Sequence, residues 1–135
     1  MAPRILIVDD HQLFRATLRR FVESRYADAL ITEADNGLAA VRQCQQQQPD
    51  LILMDVQMPV CDGIRAAQQI KTVNDSIPVL LYSADAVSDT RIGDSQSDAF
   101  LEKQFVFERL PDEVARLLAG RPADPLRGEF EDVDG

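Results

Sequence analysis

The sequence predicts an α/β domain: a doubly wound, five-stranded parallel sheet with helices on both faces. Three observations carry that prediction. Short apolar runs alternate along the chain with longer segments whose apolar residues recur at helical spacing. The runs are continuous rather than alternating apolar with polar, as strands covered on both faces require. The connections are short, and strands alternating with helices over short connections fold as a parallel sheet with right-handed crossovers.

Ile5-Leu6-Ile7-Val8 is the first strand, and Phe14, Leu18, Phe21 and Val22 then recur at i, i+4, i+7 and i+8 along one helix face. Ala29-Leu30-Ile31-Thr32 is a weaker second strand. Asn36-Gly37 opens a helix that carries Leu38, Val41 and Cys44 on one side and ends in the polar run Gln45 to Gln48. Pro49 closes that helix before the third strand, Leu51-Ile52-Leu53-Met54. Ile64, Ala67 and Ile70 mark a third helix, and Pro78 opens Val79-Leu80-Leu81-Tyr82 as the fourth strand. Between Ala84 and Asp98 the stretch Ala86 to Gly93 holds β-branched residues, Ser, Asp and Gly, so a short or frayed helix is expected. Ala99-Phe100-Leu101 is the fifth strand. Leu110, Val114, Leu117 and Leu118 form the buried stripe of a last helix that stops at Gly120.

With 135 residues, 45% of them hydrophobic, the chain can fill one core. The domain is expected over 1–120. Residues 121–135, with Pro122, Pro125, Gly128 and an acidic close in Glu129, Glu131, Asp132 and Asp134, read as a disordered tail or the start of a linker, too short for a DNA-binding domain. A net charge of -9 opposes direct binding to nucleic-acid phosphates. No apolar run approaches the roughly 20 residues that cross a bilayer, and Met1-Ala2-Pro3-Arg4 lacks a signal-peptide layout, so a soluble cytoplasmic protein without membrane contact is expected. Cys44 and Cys61 have no metal-ligand or redox spacing and read as reduced apolar fillers.

The chemistry gathers at the carboxyl ends of the strands, where the crevice of such a sheet lies. Asp9 and Asp10 follow the first run, Asp55 the third, Ser83 the fourth and Lys103 the fifth. Any one of them has an ordinary structural reading: an Asp as a helix cap, Ser83 as a turn hydroxyl, Lys103 as a solvated charge. Five together at one end of the sheet do not. Three converging carboxylates repel one another unless a cation sits among them, and a hard divalent ion, Mg²⁺, suits an all-oxygen set. Asp10, Asp55 and the Gln57 backbone carbonyl are the expected ligands, with Asp9 as an outer acceptor that orients a metal-bound water.

Val8-Asp9-Asp10, Met54-Asp55-Val56-Gln57-Met58-Pro59 with Asp62-Gly63, Ser83-Ala84 and Phe100-Leu101-Glu102-Lys103 together resemble the receiver domain of two-component response regulators over roughly residues 4–119. The resemblance implies a flavodoxin-like fold of strand order 2-1-3-4-5. It implies that Asp55 accepts a phosphoryl group from a phosphohistidine on a sensor histidine kinase or phosphotransfer protein. Lys103 and Mg²⁺ would offset the phosphoryl charge, and Ser83 would bind the transferred group and draw strand four inward. Phe100 would then rotate from exposed to buried, although a plain core role for Phe100 weighs equally. Gln57 and Asp85, two positions after Asp55 and Ser83, would border the water that hydrolyses the acyl phosphate. An output protein and a second copy of the chain complete the set of partners implied.

Asp9-Asp10-His11-Gln12-Leu13-Phe14-Arg15 is similar to the opening of receivers that carry a helix-turn-helix, and His11 itself reads as a first-turn surface residue. Two departures stand out. Gln104 follows Lys103 where the family has proline, and a cis bond before it would cost about 3–4 kcal/mol, so either a trans turn or a strained site is expected. The stretch from Ser83 to Lys103 is also shorter than is usual. An alternative function is therefore a degenerate receiver that binds partners without phosphorylation. A phosphohydrolase fits poorly, because Asp55 is followed by Val56-Gln57 and Asp9-Asp10 are adjacent, and no Gly-x-Gly-x-x-Gly follows a strand to suggest a dinucleotide enzyme.

Overall fold

The computed structural model describes residues 2–120, and the segment 121–135 lies outside them. In chain order the elements are β1 (Arg4–Val8), α1 (Gln12–Arg25), β2 (Leu30–Ala34), α2 (Gly37–Gln47), β3 (Leu51–Asp55), α3 (Gly63–Val73), β4 (Val79–Ser83), α4 (Asp89–Ser95) and β5 (Ala99–Glu102). A single 3-10 turn, Lys103–Phe105, leads into α5 (Val106–Ala119). The strands form one parallel sheet in the order β2-β1-β3-β4-β5, as the resemblance implies.

Side chains on a strand alternate between faces, and this divides the core in two. Ile5, Ile7, Leu51, Leu53, Leu80 and Tyr82 pack under Leu18 and Val22 of α1 and Leu110 and Val114 of α5. Leu6, Val8, Ile52, Met54, Val79 and Leu81 face the other way, onto Val41 and Cys44 of α2 and Ile64, Ala67 and Ile70 of α3. β3 lies between β1 and β4 and is buried throughout, so its last residue, Asp55, emerges at the middle of the sheet edge.

Local chemistry sets the helix starts. The side chains of Asn36, Asp62 and Ser88 accept the N–H groups of Ala39, Arg65 and Arg91 at 2.9, 2.9 and 3.2 Å. His11 does the same for α1, its Nδ1 accepting the Phe14 N–H at 3.1 Å. The residue expected in the first turn is thus the exposed N-cap that precedes it.

In α2 Val41 and Cys44 face the core as expected, but Leu38 is exposed, and Gly37 and Ala40 are buried beside them. The cause is Gly37: its N–H donates to the Cys61 carbonyl at 3.1 Å, and a Cβ there would lie 2.4 Å from that oxygen. This contact turns the positions that follow Gly37 at helical spacing inward. α4 is a helix of only seven residues that ends at Gln96 with φ 61°, in keeping with its weak coding. Away from the strand carboxyl ends, the buried Lys71 ammonium bonds Asp98 Oδ2 and the Ile77 carbonyl, both at 2.7 Å, tying α3 to β4 and β5. Cys44 is fully buried, and burial pushes its thiol up to about 12.

Candidate functional site

Because all five strands run parallel, their carboxyl ends share one edge of the sheet. Asp9 and Asp10 follow β1, Asp55 ends β3, Ser83 ends β4 and Lys103 follows β5. The fold therefore brings the sequence-predicted residues together. One oxygen from each of Asp9, Asp10 and Asp55 lies within 4.8 Å of the others. Asp9 and Asp55 are buried, whereas Asp10 stands exposed at the rim. The Lys103 ammonium sits between the two buried carboxylates, 3.4 Å from Asp55 Oδ2 and 3.6 Å from Asp9 Oδ2.

Electrostatics make Asp55 unlike a surface carboxylate. Burial raises its pKa, the charge of Asp9 raises it further, and Lys103 and the Gln57 N–H pull it down; the balance leaves it pushed up to about 6. The group ionises near neutrality but at a cost that a nearby cation relieves. Three hard oxygen donors in one cluster, two of them buried, are a donor set that fits a small divalent ion.

Ser83 is engaged on two sides. Its Oγ lies 2.8 Å from Gln57 Oε1 and 2.8 Å from the Asp85 carbonyl, and it accepts the Asp85 N–H at 3.2 Å. A single hydroxyl proton serves one of the two acceptors at a time. Phe100 is half-buried, beside Ser83, Val87, Ile92 and Lys103 around a cavity of about 470 Å³. The Lys103–Gln104 bond is trans, since no described peptide bond is cis.

The loop after β3 folds back onto Asp55. The Gly63 N–H donates to the Val56 carbonyl at 2.9 Å, and a Cβ on Gly63 would lie 2.3 Å from the Asp55 carbonyl, so only glycine allows this approach. Within the loop Val60 has φ 71°, and the Cys61 N–H reaches the Pro59 carbonyl at 2.7 Å. A β-branched residue at positive φ costs on the order of 1–3 kcal/mol, which places backbone strain beside the site.

A family model described as the response regulator receiver domain matches residues 5–115. The chain belongs to this family. It is 34% identical over 121 residues to the response regulator MprA of Mycobacterium ulcerans, covering 88% of this chain and 50% of that protein. The transcriptional regulatory protein PrrA of Mycobacterium leprae is 32% identical over 124 residues, covering 90% and 52%. The chain thus spans about half the length of these relatives. Among solved structures, a LuxR-family two-component response regulator from Aurantimonas matches with a TM-score of 0.81 at 27% identity, over 92% of this chain and 90% of that one. The receiver domain of a sensor histidine kinase from Pseudomonas aeruginosa, with a magnesium ion coordinated in its active-site cleft, matches with a TM-score of 0.79 at 25% identity, over 89% and 100%.

The chain is thus a receiver domain of two-component signalling, of the phosphoacceptor type. Among the described residues no helix is long and apolar enough to cross a membrane. Two residues whose apolar pattern marks them only as helix and strand residues also reach the receiver site. Tyr82, fully buried in β4, donates its hydroxyl to Asp9 Oδ2 at 2.8 Å, and the Phe14 ring lies 4.3 Å beneath the Lys103 ammonium. The one available signal was a phenol in an otherwise aliphatic strand, directly before Ser83.

Proposed function

We propose that Asp55 is the residue phosphorylated, by a sensor histidine kinase or phosphotransfer protein, and that Ser83 and Phe100 pass the event to an output partner. The observation that carries this reading is the Lys103 ammonium 3.4 Å from a buried carboxylate whose pKa is raised to about 6. An Asp55 oxygen attacks phosphorus, the new O–P bond forms as the P–N bond to histidine breaks, and the electron pair leaves on the imidazole. Lys103 offsets charge on the phosphoryl oxygens, and catalysis is chiefly positioning and electrostatics. Mg²⁺ fits the carboxylate cluster: Asp10, Asp55 and the Gln57 carbonyl would hold it, with Asp9 in the outer shell. When bound, it supplies further positive charge to the phosphoryl group. The magnesium-containing kinase receiver supports this choice of ion by likeness.

For the switch, the Ser83 hydroxyl gives up Gln57 or Asp85 for a phosphoryl oxygen, and the half-buried Phe100 turns into the space that follows. Gln57 and Asp85 flank Ser83 and border the water that later hydrolyses the acyl phosphate. We place this chemistry in the cytoplasm, where the kinase domain of a sensor would act. Phosphoramidate with Mg²⁺ should add one phosphoryl group to the chain, as base-labile label that is lost in Asp55→Asn. Label that persists in that variant refutes the assignment. A receiver that binds partners without phosphorylation would take no label at all.

A further inference from the structure

We propose that Tyr82, backed by Phe14, is a positioning residue of this site: its hydroxyl compensates Asp9, so that the Lys103 ammonium is left to serve Asp55. The inference rests on the reading of Asp55 and Lys103 above and adds a residue that reading does not use. One ammonium faces two buried carboxylates at nearly equal distances, 3.4 Å to Asp55 and 3.6 Å to Asp9. Which of them it serves depends on how far each is already compensated by other donors. Asp9 is well supplied: Oδ1 accepts the His11 N–H at 2.8 Å and Oδ2 accepts the Tyr82 hydroxyl at 2.8 Å. Asp55 Oδ1 accepts the Gln57 N–H at a longer 3.2 Å. The Tyr82 hydroxyl is bonded to the same Asp9 oxygen that lies nearest Lys103, and a charge-assisted bond there weakens that oxygen's hold on the ammonium.

The ring contributes separately. Phe14 and Tyr82 pack with centroids 5.4 Å apart, and the Lys103 ammonium lies 4.3 Å from the first ring centre and 5.8 Å from the second. This aromatic wall confines an otherwise flexible lysine stem. The Tyr82 carbonyl also accepts the N–H of Val56 at 2.8 Å, so the same residue braces the backbone just after Asp55. Burial and the Asp9 charge hold the phenol well above its ordinary pKa, which keeps it a donor. A leucine would fill this place in the core; the hydroxyl is what ties the strand to the site.

The test is Tyr82→Phe in the full chain, read by calorimetric Mg²⁺ titration and by phosphorylation with phosphoramidate. Without the hydroxyl, Asp9 recaptures Lys103, and the saturated rate should fall about tenfold, the scale of one charge-assisted hydrogen bond, with little change in the half-saturating donor concentration. Mg²⁺ should bind several-fold more tightly, because Asp55, with Lys103 drawn away to Asp9, presents more uncompensated charge to the ion. On an Asp9→Asn background, where no charge competes for Lys103, the rate effect of Tyr82→Phe should vanish. A saturated rate within twofold of the native chain, rate and Mg²⁺ affinity falling together, or an undiminished loss on the Asp9→Asn background would each overturn the proposal. If the native chain takes no phosphate, the Asp55 reading fails, and Mg²⁺ affinity alone decides for Tyr82: tighter binding supports the proposal, and unchanged or weaker binding overturns it. Should Tyr82→Phe not fold, Phe14→Leu keeps the hydroxyl and removes the wall. It should slow phosphorylation without altering Mg²⁺ affinity, and an unchanged rate overturns the proposal.

Discussion

Replacing Asp55 by Asn should stabilise the metal-free domain at neutral pH, because the native carboxylate is ionised there at a cost. Its pKa is pushed from 3.8 up to about 6, mainly by burial and then by Asp9, with the opposing pull of Lys103 already included. The folded state therefore holds this proton more tightly than the unfolded chain does. The group favours folding fully below about pH 4, and that contribution is lost as pH rises through about 6. A shift of about two units corresponds to about 3 kcal/mol at pH 7 and above. Asn has the same shape and cannot ionise, so it escapes the penalty. For a domain of this size, about 3 kcal/mol is a rise in melting temperature of about 10 °C. Thermal melts of both proteins in chelator, in steps from about pH 4 to about pH 8, should show the gap opening between those pKa values and then levelling. Millimolar Mg²⁺ should narrow it, since only the native cluster gains a counter-charge. Coincident melts at neutral pH, or a gap that widens toward acid, would refute the reasoning.

Mg²⁺ should raise the melting temperature of the native chain by linkage of binding to folding, and Asp10→Ala should remove most of that rise. Replacing both Gln57 and Asp85 by Ala should change the lifetime of the acyl phosphate, followed as loss of label; an unaltered rate places both outside the hydrolytic path. Hydrogen exchange with a beryllofluoride phosphoryl mimic should differ most over 84–99, where α4 is only seven residues long, and Ser83→Ala should blunt that difference. Uniform protection across the domain would show that the event does not pass through β4 and β5.

Much of this protein is legible in local pattern. Continuous apolar runs mark four of the five strands, with β2, Leu30–Ala34, more weakly coded, and helical spacing marks the longer helices, because periodicity reports which faces are buried. The site residues are legible for the same reason: a polar residue at the end of a buried run points to the strand edge, and the four strand ends that carry them share one edge of a parallel sheet. The strand order is a different matter, since the residues demand only a parallel sheet and the order came from resemblance. Tertiary structure alone decided the rest. Leu38 is left exposed and Ala40 buried because Gly37 is pressed against Cys61, a contact that helical periodicity cannot contain. Lys71 finds Asp98 from another element, and Tyr82 finds Asp9 across 73 positions. A tyrosine in a buried strand reads the same whether its hydroxyl meets a carboxylate or a carbonyl. Which one it meets depends on the register and order of strands far apart in the chain, and those exist only once the sheet has assembled.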